Sequence, residues 1–228
     1  DQKLKVVAEV IKQVDGGRGP DIVALQEVEN ISILERLREQ HLAGLGYHHG
    51  TLLEGMDRRG IDVAFLSRFP VLSVELHSIY SSTSQRSRSG DTRPILEAKF
   101  RLPSGGYITG FNVHFPAPYH PTEMRESAFA TLNAIVEKLP KDSPVFAAGD
   151  FNTSRAENSN EAVLEKWVRP YWSVAHDLCI GCPGTNFYPP KNEWSFLDMI
   201  LWRSDEEWEL VDAYLANKVP EQTTENNT

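Results

Sequence analysis

Hydrophobic residues in this chain occur mainly in short uninterrupted runs rather than in alternation with polar residues. The runs at 22–25 and 145–148 are each followed two positions later by an acidic residue, Glu27 and Asp150. Apolar runs of about four to eight residues are typical of strands that are covered on both faces. The pattern therefore predicts buried strands that end in acidic side chains.

Similar patterns predict the other elements of the chain. Further strands are expected at 61–66, 95–100, 107–115 and 196–202. Apolar residues at helical spacing predict a helix near the start of the chain, one at 31–42 and one at 123–139. Because βα units are mixed with hairpin-like runs, such as the turn at 101–106, we expect packed sheets with helices outside. A single domain over 1–228 is expected.

Composition narrows the class of protein. The 228 residues are 40% hydrophobic, which is enough for one large core. No apolar run approaches the roughly 20 residues that a membrane-spanning helix needs. The net charge of −9 repels a polyanion, so stable binding of duplex DNA is not expected, although a local basic cluster can still hold one phosphate. We expect a monomer.

The two cysteines, Cys179 and Cys182, allow three interpretations: a small disulfide, a redox pair or two unremarkable thiols. A disulfide would fit an exported protein, secreted or periplasmic, but the sequence does not fix the location. His176 completes a His-x-x-Cys-x-x-Cys spacing, yet a structural zinc site needs four ligands and no fourth is evident. The polar segment 81–91 is interpreted as a surface loop, and 221–228 as a tail.

Asp150 and Asn152 stand two positions apart at the end of a predicted strand, so their side chains point to the same side. A carboxylate is the hard oxygen ligand that Mg²⁺, Mn²⁺ and Ca²⁺ prefer, and an amide can orient a water molecule or a phosphate oxygen. Glu27 has the same placement after its strand. Taken singly, each of these residues is explained as well by a solvated loop or a helix cap.

Six motifs that occur in a fixed order favour a functional site over these structural explanations. They are LQEVEN (25–30), RRGIDVAFLSRFP (58–70), TRPILEAKF (92–100), NVHFPAP (112–118), GDFN (149–152) and WSFLDMIL (194–201). Together they resemble the endonuclease/exonuclease/phosphatase superfamily, in wording close to uncharacterised bacterial members. The resemblance extends from about Leu4 to Leu201. It implies a four-layer α/β sandwich, in which two mixed β-sheets pack face to face with helices outside.

The resemblance also implies hydrolysis of phosphate esters with a divalent metal, Mg²⁺ or Mn²⁺, with Ca²⁺ as a further candidate. Glu27 matches the metal-binding glutamate of the family. Asp150 and Asn152 match the pair that handles the attacking water and a phosphate oxygen. His114 matches a histidine that contacts the phosphate or acts as an acid, and Asp198 matches the aspartate that orients a catalytic histidine.

Three further residues are candidates for supporting roles. Arg93 matches an arginine that family members aim at the phosphate, although a surface arginine is an equal alternative. Asn112 shares the side of His114 by strand alternation and is a weaker candidate for substrate binding. Asp62 is expected either to orient His114 from the neighbouring strand or to pair with Arg58, Arg59 or Arg68. His120 is interpreted as a loop residue.

Two motifs of the family are missing. Members open with a strand that carries an asparagine of the site, and they end with Ser-Asp-His, whereas the last histidine here is His176. Asp198 therefore lacks an imidazole to orient, and terminal sheet strands are expected to be absent. The simplest interpretation is a piece of a longer protein. The parent is predicted to be a nuclease-like phosphodiesterase acting on a nucleotide, a short nucleic acid or a lipid head group. The alternatives are a non-catalytic binding module, an inactive fragment or a Ca²⁺-binding structural domain.

Overall fold

The structure, a computed structural model, describes residues 2–55, 57, 59–79, 92–203 and 211–216. The predicted surface loop 81–91, the predicted tail 221–228 and Arg58 lie outside these residues. The helices are α1 (Gln2–Gln13), α2 (Ile31–Arg36), α3 (Thr122–Val136), α4 (Arg155–Glu161) and α5 (Val163–Trp167). None of them is long and apolar enough to cross a bilayer.

The strands in the described residues are β1 (Ile22–Val28), β2 (His49–Leu52), β3 (Asp62–Ser67), β4 (Val71–His77), β5 (Ile95–Arg101), β6 (Tyr107–His114), β7 (Val145–Asp150), β8 (Ser173–Val174), β9 (Asn186–Tyr188), β10 (Glu193–Ser195) and β11 (Asp198–Arg203). The large sheet has the order β4-β5-β6-β7-β11-β8 and is mixed, because β6 and β7 are parallel. The small sheet, β1-β3-β2, is antiparallel in both of its pairings, so only the large sheet is mixed as predicted. A separate hairpin joins β9 and β10.

Strand β3 shows how the sequence builds the layers, since all six of its residues are buried. Val63 and Phe65 face the large sheet, where Phe65 packs edge-to-face on Phe100 with ring centroids 5.3 Å apart. The alternate residues, Ala64 and Leu66, face the opposite side and pack against the helices of the first part of the chain. One uninterrupted apolar run thus contributes to two cores, as expected for a strand covered on both faces.

The four predicted layers are confirmed. Helices α1 and α2 cover the outer face of the small sheet through residues such as Ala8, Ile11 and Leu34. Helix α3 covers the outer face of the large sheet, where Phe129 and Leu132 join a core that contains residues of β6, β7 and β11. The cluster between the sheets is the central layer of contact.

An open region lies beside β1. Within the described residues β1 pairs with β3 along one edge only, and an apolar groove of about 640 Å³ opens between its free edge and the inner face of the large sheet. Ile22 and Ala24 line one side, Phe146 and Ile200 line the other, and Ile200 remains 51% exposed. Residues 212–216 also line the groove.

Candidate active site

Three neighbouring strands of the large sheet bring three predicted site residues side by side. His114 at the end of β6 is in register with Asp150 at the end of β7, and Asp150 is in register with Asp198 at the start of β11. Neighbouring strands lie about 4.8 Å apart, so the side chains are close without any special loop. Nε2 of His114 lies 3.4 Å from Oδ2 of Asp150.

The turn after β7 fixes Asp150 and Asn152. The backbone N–H of Asn152 donates to Oδ1 of Asp150 over 2.9 Å, and Nδ2 of Asn152 donates to the backbone oxygen of Phe115 over 2.9 Å. Asn152 has φ of 52°, a left-handed conformation that asparagine tolerates better than most residues. Phe151 points the opposite way, into the core beneath α3. The sharp turn and the buried phenylalanine together hold both polar groups in place.

Glu27 reaches the same region from the small sheet. The pairing of β1 with β3 is irregular between Leu25 and Val28, and Glu27 has φ of 58° within this bulge. Bulges re-aim a side chain relative to the strand, and they are frequent next to active sites. The carboxylate of Glu27 is exposed to the cleft that it lines.

Asn112 holds the two sheets together behind the site. Its side chain is 0% exposed, and Nδ2 donates to the backbone oxygens of Leu25, over 3.1 Å, and Ala64, over 2.7 Å. Its Oδ1 accepts from Nε2 of Gln26 over 2.7 Å, beside Glu27. These bonds occupy both ends of the amide, so that in this structure Asn112 fixes the strand that carries Glu27. The substrate contact of Asn112 stays a prediction.

Arg93 is buried and lies beside His114. Its Nη1 donates to the backbone oxygen of His114 over 2.9 Å, and its Nε lies 3.1 Å from Oδ2 of Asp57. Asp57 also accepts from Arg59, with Nη2 to Oδ2 at 3.0 Å. Burial alone would raise the pKa of Asp57, but the hydrogen bonds and charge of Arg59, together with the charge of Arg93, outweigh burial and hold that pKa below its usual value. An Arg–Asp–Arg series thus forms one wall of the site.

Asp62 does not contact His114 in this structure. Its Oδ1 accepts from the backbone N–H of Gly55 over 2.8 Å, while burial raises the pKa of its carboxyl group. Arg59 pairs with Asp57 and Arg68 pairs with Asp21, so neither forms the alternative salt bridge. Nδ1 of His114 has no hydrogen-bond partner among the described residues. The described contacts therefore differ from the predicted orienting role, because Asp62 is used to anchor the turn at Gly55.

The pKa values at the three strand ends are shifted in opposite directions. Burial, and then the charges of Arg93 and Arg59, lower the pKa of His114 to about 4, so its imidazole is neutral near pH 7. Burial, and then the charge of Asp198, raise the pKa of Asp150 to about 7. The pKa of Asp198 is also raised, because packing around its carboxylate removes water even though the residue as a whole is exposed. The charge of Arg93 lowers the pKa of Asp150, but burial and the charge of Asp198 raise it by more.

A polar cleft of about 230 Å³ contains most of these residues. Its lining consists of Glu27, Arg59, Arg93, His114, Pro116, Ala117, Tyr119, His120, Asp150 and Asn152. Five predicted residues are thus brought together. Asp198 lies on the neighbouring apolar groove, with its backbone N–H donating to Oγ1 of Thr185 over 3.0 Å. Sequence reasoning missed Arg59 and Tyr119 and treated His120 as an ordinary loop residue. The one local signal was their closeness in sequence to Asp62 and His114.

The residues of the cleft fit a divalent cation. Glu27 and Asp150 supply carboxylate oxygens from opposite sheets, which is the hard donor set that Mg²⁺, Mn²⁺ and Ca²⁺ prefer. A cation held there would favour the ionised form of Asp150, whose pKa burial and the charge of Asp198 raise to about 7. A second group of metal-binding type lies away from the cleft on β4 and β5, where ligand atoms of Glu75, His77 and Glu97 all lie within 4.8 Å of one another.

The chain is thus a four-layer α/β sandwich with a polar cleft at the ends of β6 and β7. The model of the Endonuclease/Exonuclease/phosphatase family matches residues 1–210, and the chain belongs to this family. The predicted superfamily is thereby confirmed.

Among individual proteins, the chain is similar to the inositol phosphosphingolipids phospholipase C of Schizosaccharomyces pombe, with 27% identity over 210 residues. The match covers 88% of this chain and 46% of that protein, so the chain spans about half the length of the relative.

Solved structures share the fold at lower identity. A β-hairpin deletion mutant of the β toxin of Staphylococcus aureus superposes with a TM-score of 0.70 at 16% identity, covering 97% of this chain and 87% of that one. TDP2 of D. rerio, determined with a single-stranded DNA product, superposes with a TM-score of 0.59 at 20% identity, covering 83% and 73%. These likenesses concern the fold.

Proposed function

We propose that this chain forms the core of a divalent-metal-dependent phosphodiesterase. The observation that carries the proposal is the alignment of His114, Asp150 and Asp198 on three adjacent strands, with Glu27 facing them from the other sheet. Family membership supports hydrolysis of a phosphate ester. The name of the Schizosaccharomyces pombe relative, a phospholipase C, favours a diester over a monoester.

In the proposed reaction, water attacks phosphorus and the bond from phosphorus to one ester oxygen breaks. The attacking water loses a proton as the new P–O bond forms, and the departing alkoxide gains one, so that in total one proton passes from water to the alcohol. Glu27 and Asp150 would hold the metal ion, which when bound supplies positive charge that stabilises the charge growing on the phosphoryl oxygens.

The side chains of the cleft orient the reactants. Oδ1 of Asp150 is fixed by the N–H of Asn152, which leaves Oδ2 to face the space beside His114. The amide of Asn152 is itself held by Phe115, so it can present its oxygen to the attacking water in a fixed position. Neutral His114 can donate from Nε2 to a phosphate oxygen, and buried Arg93 places positive charge next to that oxygen.

The experiment is hydrolysis of bis-p-nitrophenyl phosphate by the full-length protein with Mg²⁺ or Mn²⁺. Asp150→Ala is expected to lower kcat/KM by about 10³-fold or more, as removal of a residue that handles the nucleophile commonly does. Asp142→Ala, an exposed aspartate in the turn before β7, is the matched control and should retain wild-type turnover. Absence of metal-dependent turnover on diesters, monoesters and DNA would exclude the proposal.

A second candidate, a module that binds phosphate esters without hydrolysing them, is favoured by one observation. Within the described parts of the chain, no histidine forms a hydrogen bond with Asp198, so the orienting role that family resemblance assigns to it has no partner here. Saturable binding of the diester without turnover by the full-length protein would support this candidate.

A further inference from the structure

The loop that joins β6 to α3, residues 116–121, is rich in proline and is called the proline loop below. Half of its residues are proline, namely Pro116, Pro118 and Pro121. Proline has no backbone N–H, so these residues cannot donate backbone hydrogen bonds. Among the described backbone hydrogen bonds, one joins two residues of the loop, from the N–H of His120 to the oxygen of Ala117 over 2.9 Å. The conformation of the loop therefore depends on contacts with other parts of the chain.

Arg125 on α3 supplies donors to the backbone oxygens of the proline loop. The residue is 1% exposed, and its Nη1 donates to the oxygens of Pro116, over 3.1 Å, and Ala117, over 2.7 Å. Its Nη2 donates to the oxygen of His120 over 3.1 Å. All three acceptor residues line the polar cleft. One buried guanidinium therefore holds the cleft side of the loop near both of its ends.

Glu157 on α4 holds the guanidinium in place. Nε of Arg125 lies 2.9 Å and 3.0 Å from the two carboxylate oxygens of Glu157, whose side chain is 8% exposed. A buried guanidinium is costly unless it is paired and its donors are used, and here Nε, Nη1 and Nη2 all donate. Lysine would not replace arginine here, because its ammonium lacks the planar fork of five N–H donors.

The ion pair connects the two segments that follow the central strands of the site. Helix α3 follows β6, which ends at His114, and α4 follows β7, which ends at Asp150. Ser154 caps α4 by accepting from the N–H of Glu157 over 3.2 Å. The start of the loop is tied to β7 separately, since the N–H of Phe115 donates to the backbone oxygen of Asp150 over 2.8 Å. The turn at Asp150 is thus held without the ion pair, whereas the far end of the loop is held by it.

We propose that the Arg125–Glu157 ion pair positions the proline loop for substrate binding, so that the pair controls KM while the metal-binding side of the site is fixed independently. Both are positioning residues, because neither is among the described residues that line the cleft. The inference rests on the proposed function, since the substrate is the phosphodiester placed beside Glu27 and Asp150.

The test is steady-state hydrolysis of bis-p-nitrophenyl phosphate by the metal-loaded full-length protein. Arg125→Lys keeps the positive charge but loses the fork of donors, so KM should rise by about tenfold, the size of one hydrogen bond lost to the substrate. The value of kcat and the Mg²⁺ concentration for half-maximal activity should change far less, because the described contacts of Arg125 include neither Glu27 nor Asp150.

A second variant keeps the test valid if Arg125→Lys does not fold. Glu157→Gln should raise KM in the same direction but by less, because the guanidinium keeps its bonds to the loop. Methylguanidinium, added well below concentrations that unfold the protein, should recover part of the KM of Arg125→Ala. A general loss of folding would lower the amount of active protein, and hence the apparent kcat, without this recovery of KM.

Asn133→Ala is the matched control for a loss of stability. Asn133 is a buried residue of the same helix, and its amide bonds with the backbone oxygen of Trp167 and with Nε1 of Trp172. None of these three residues lines the described cleft. The control should therefore lower the free energy of unfolding and leave KM unchanged.

Unchanged KM in both Arg125→Lys and Glu157→Gln, or an equal rise of KM in Asn133→Ala, would overturn the inference while leaving the proposed function intact. If the wild type does not hydrolyse the diester, the proposed function fails instead. The Kd of bis-p-nitrophenyl phosphate, measured by NMR titration, then replaces KM. Weaker binding in Arg125→Lys than in Asn133→Ala supports the positioning role, and equal binding overturns it.

Discussion

Asp150 separates two regions of very different construction. On one side lies the polar cleft, where the side chains of Arg59, Arg93, Asp150 and Asn152 are each held by hydrogen bonds within the protein. On the other side lies the groove beside β1, which is apolar, wider and lined by a half-exposed Ile200. The polar groups of the proposed site are therefore fixed by contacts within this chain, whereas the groove presents mainly apolar surface.

The largest effect on activity is expected from a substitution in the cleft. His114→Gln should lower kcat/KM on bis-p-nitrophenyl phosphate by about 10²- to 10⁴-fold, the usual range for a positioned acid–base or hydrogen-bonding histidine. His176→Gln, whose ring lies on the groove side against Phe196, is the comparison, and a far smaller effect is expected. Steady-state kinetics measure both. Similar losses in the two variants would contradict the assignment of chemistry to the cleft.

Asn112→Leu should remove the side-chain hydrogen bonds that join the two sheets. The change leaves the oxygens of Leu25 and Ala64 and the amide of Gln26 without partners in a buried region. Each unsatisfied group costs about 1–3 kcal/mol, so the free energy of unfolding should fall by about 3 kcal/mol or more. Urea denaturation measures the loss. A loss below about 1 kcal/mol would show that this hydrogen-bonded connection contributes little.

Asp150→Asn should stabilise the metal-free protein in a pH-dependent way. The pKa of Asp150 is about 7 in the folded protein and has a reference value of 3.8, so the folded state holds more protons between those values. The contribution of Asp150 to stability therefore falls as pH rises from about 4 to 7. Removing the charge should stabilise the fold by about 2–4 kcal/mol at pH 8 and by little at pH 4.

Thermal or urea unfolding in the presence of EDTA, at pH 4, 6 and 8, measures this effect. His114 acts in the opposite sense, because its lowered pKa of about 4 makes its own contribution rise with pH between about 4 and 6.5. Saturating Mg²⁺ should reduce the difference between wild type and Asp150→Asn. If the stability difference between wild type and Asp150→Asn does not grow with pH, the raised pKa of Asp150 is contradicted.

The smallest effect on stability is expected from a substitution in the groove. Ile200→Ser should change the free energy of unfolding of the 228-residue chain by no more than about 0.5 kcal/mol, as is usual for exposed positions. Met199→Ala, the buried neighbour on the same strand, should cost about 2–5 kcal/mol. Urea denaturation of both variants measures these changes in the free energy of unfolding. A large loss in Ile200→Ser would show that the groove is packed.

The sequence predicted most of the strands that carry the site, because continuous apolar runs and ordered motifs mark β1, β3, β6, β7 and β11. It missed β2 and β4, whose residues are only partly buried and lack a continuous apolar run. Strand alternation predicted which face of the sheet the side chain of Asn112 lies on, but not that it is fully buried. Its burial depends on how far the small sheet extends over β6. Contacts distant in sequence, such as that of Arg125 with Glu157, leave no local pattern, so this ion pair and the positions of Tyr119 and Arg59 in the cleft were found only from the structure.

Glu27 and Asp150 are proposed to hold the divalent ion that phosphodiester hydrolysis requires. The direct measurement is turnover of bis-p-nitrophenyl phosphate by the full-length protein before and after EDTA, with Mg²⁺ or Mn²⁺ added back, in wild type and Glu27→Gln. We expect EDTA to abolish wild-type turnover, re-addition to restore it, and Glu27→Gln to need far more metal for far less activity. Turnover that is insensitive to both EDTA and Glu27→Gln would contradict the account.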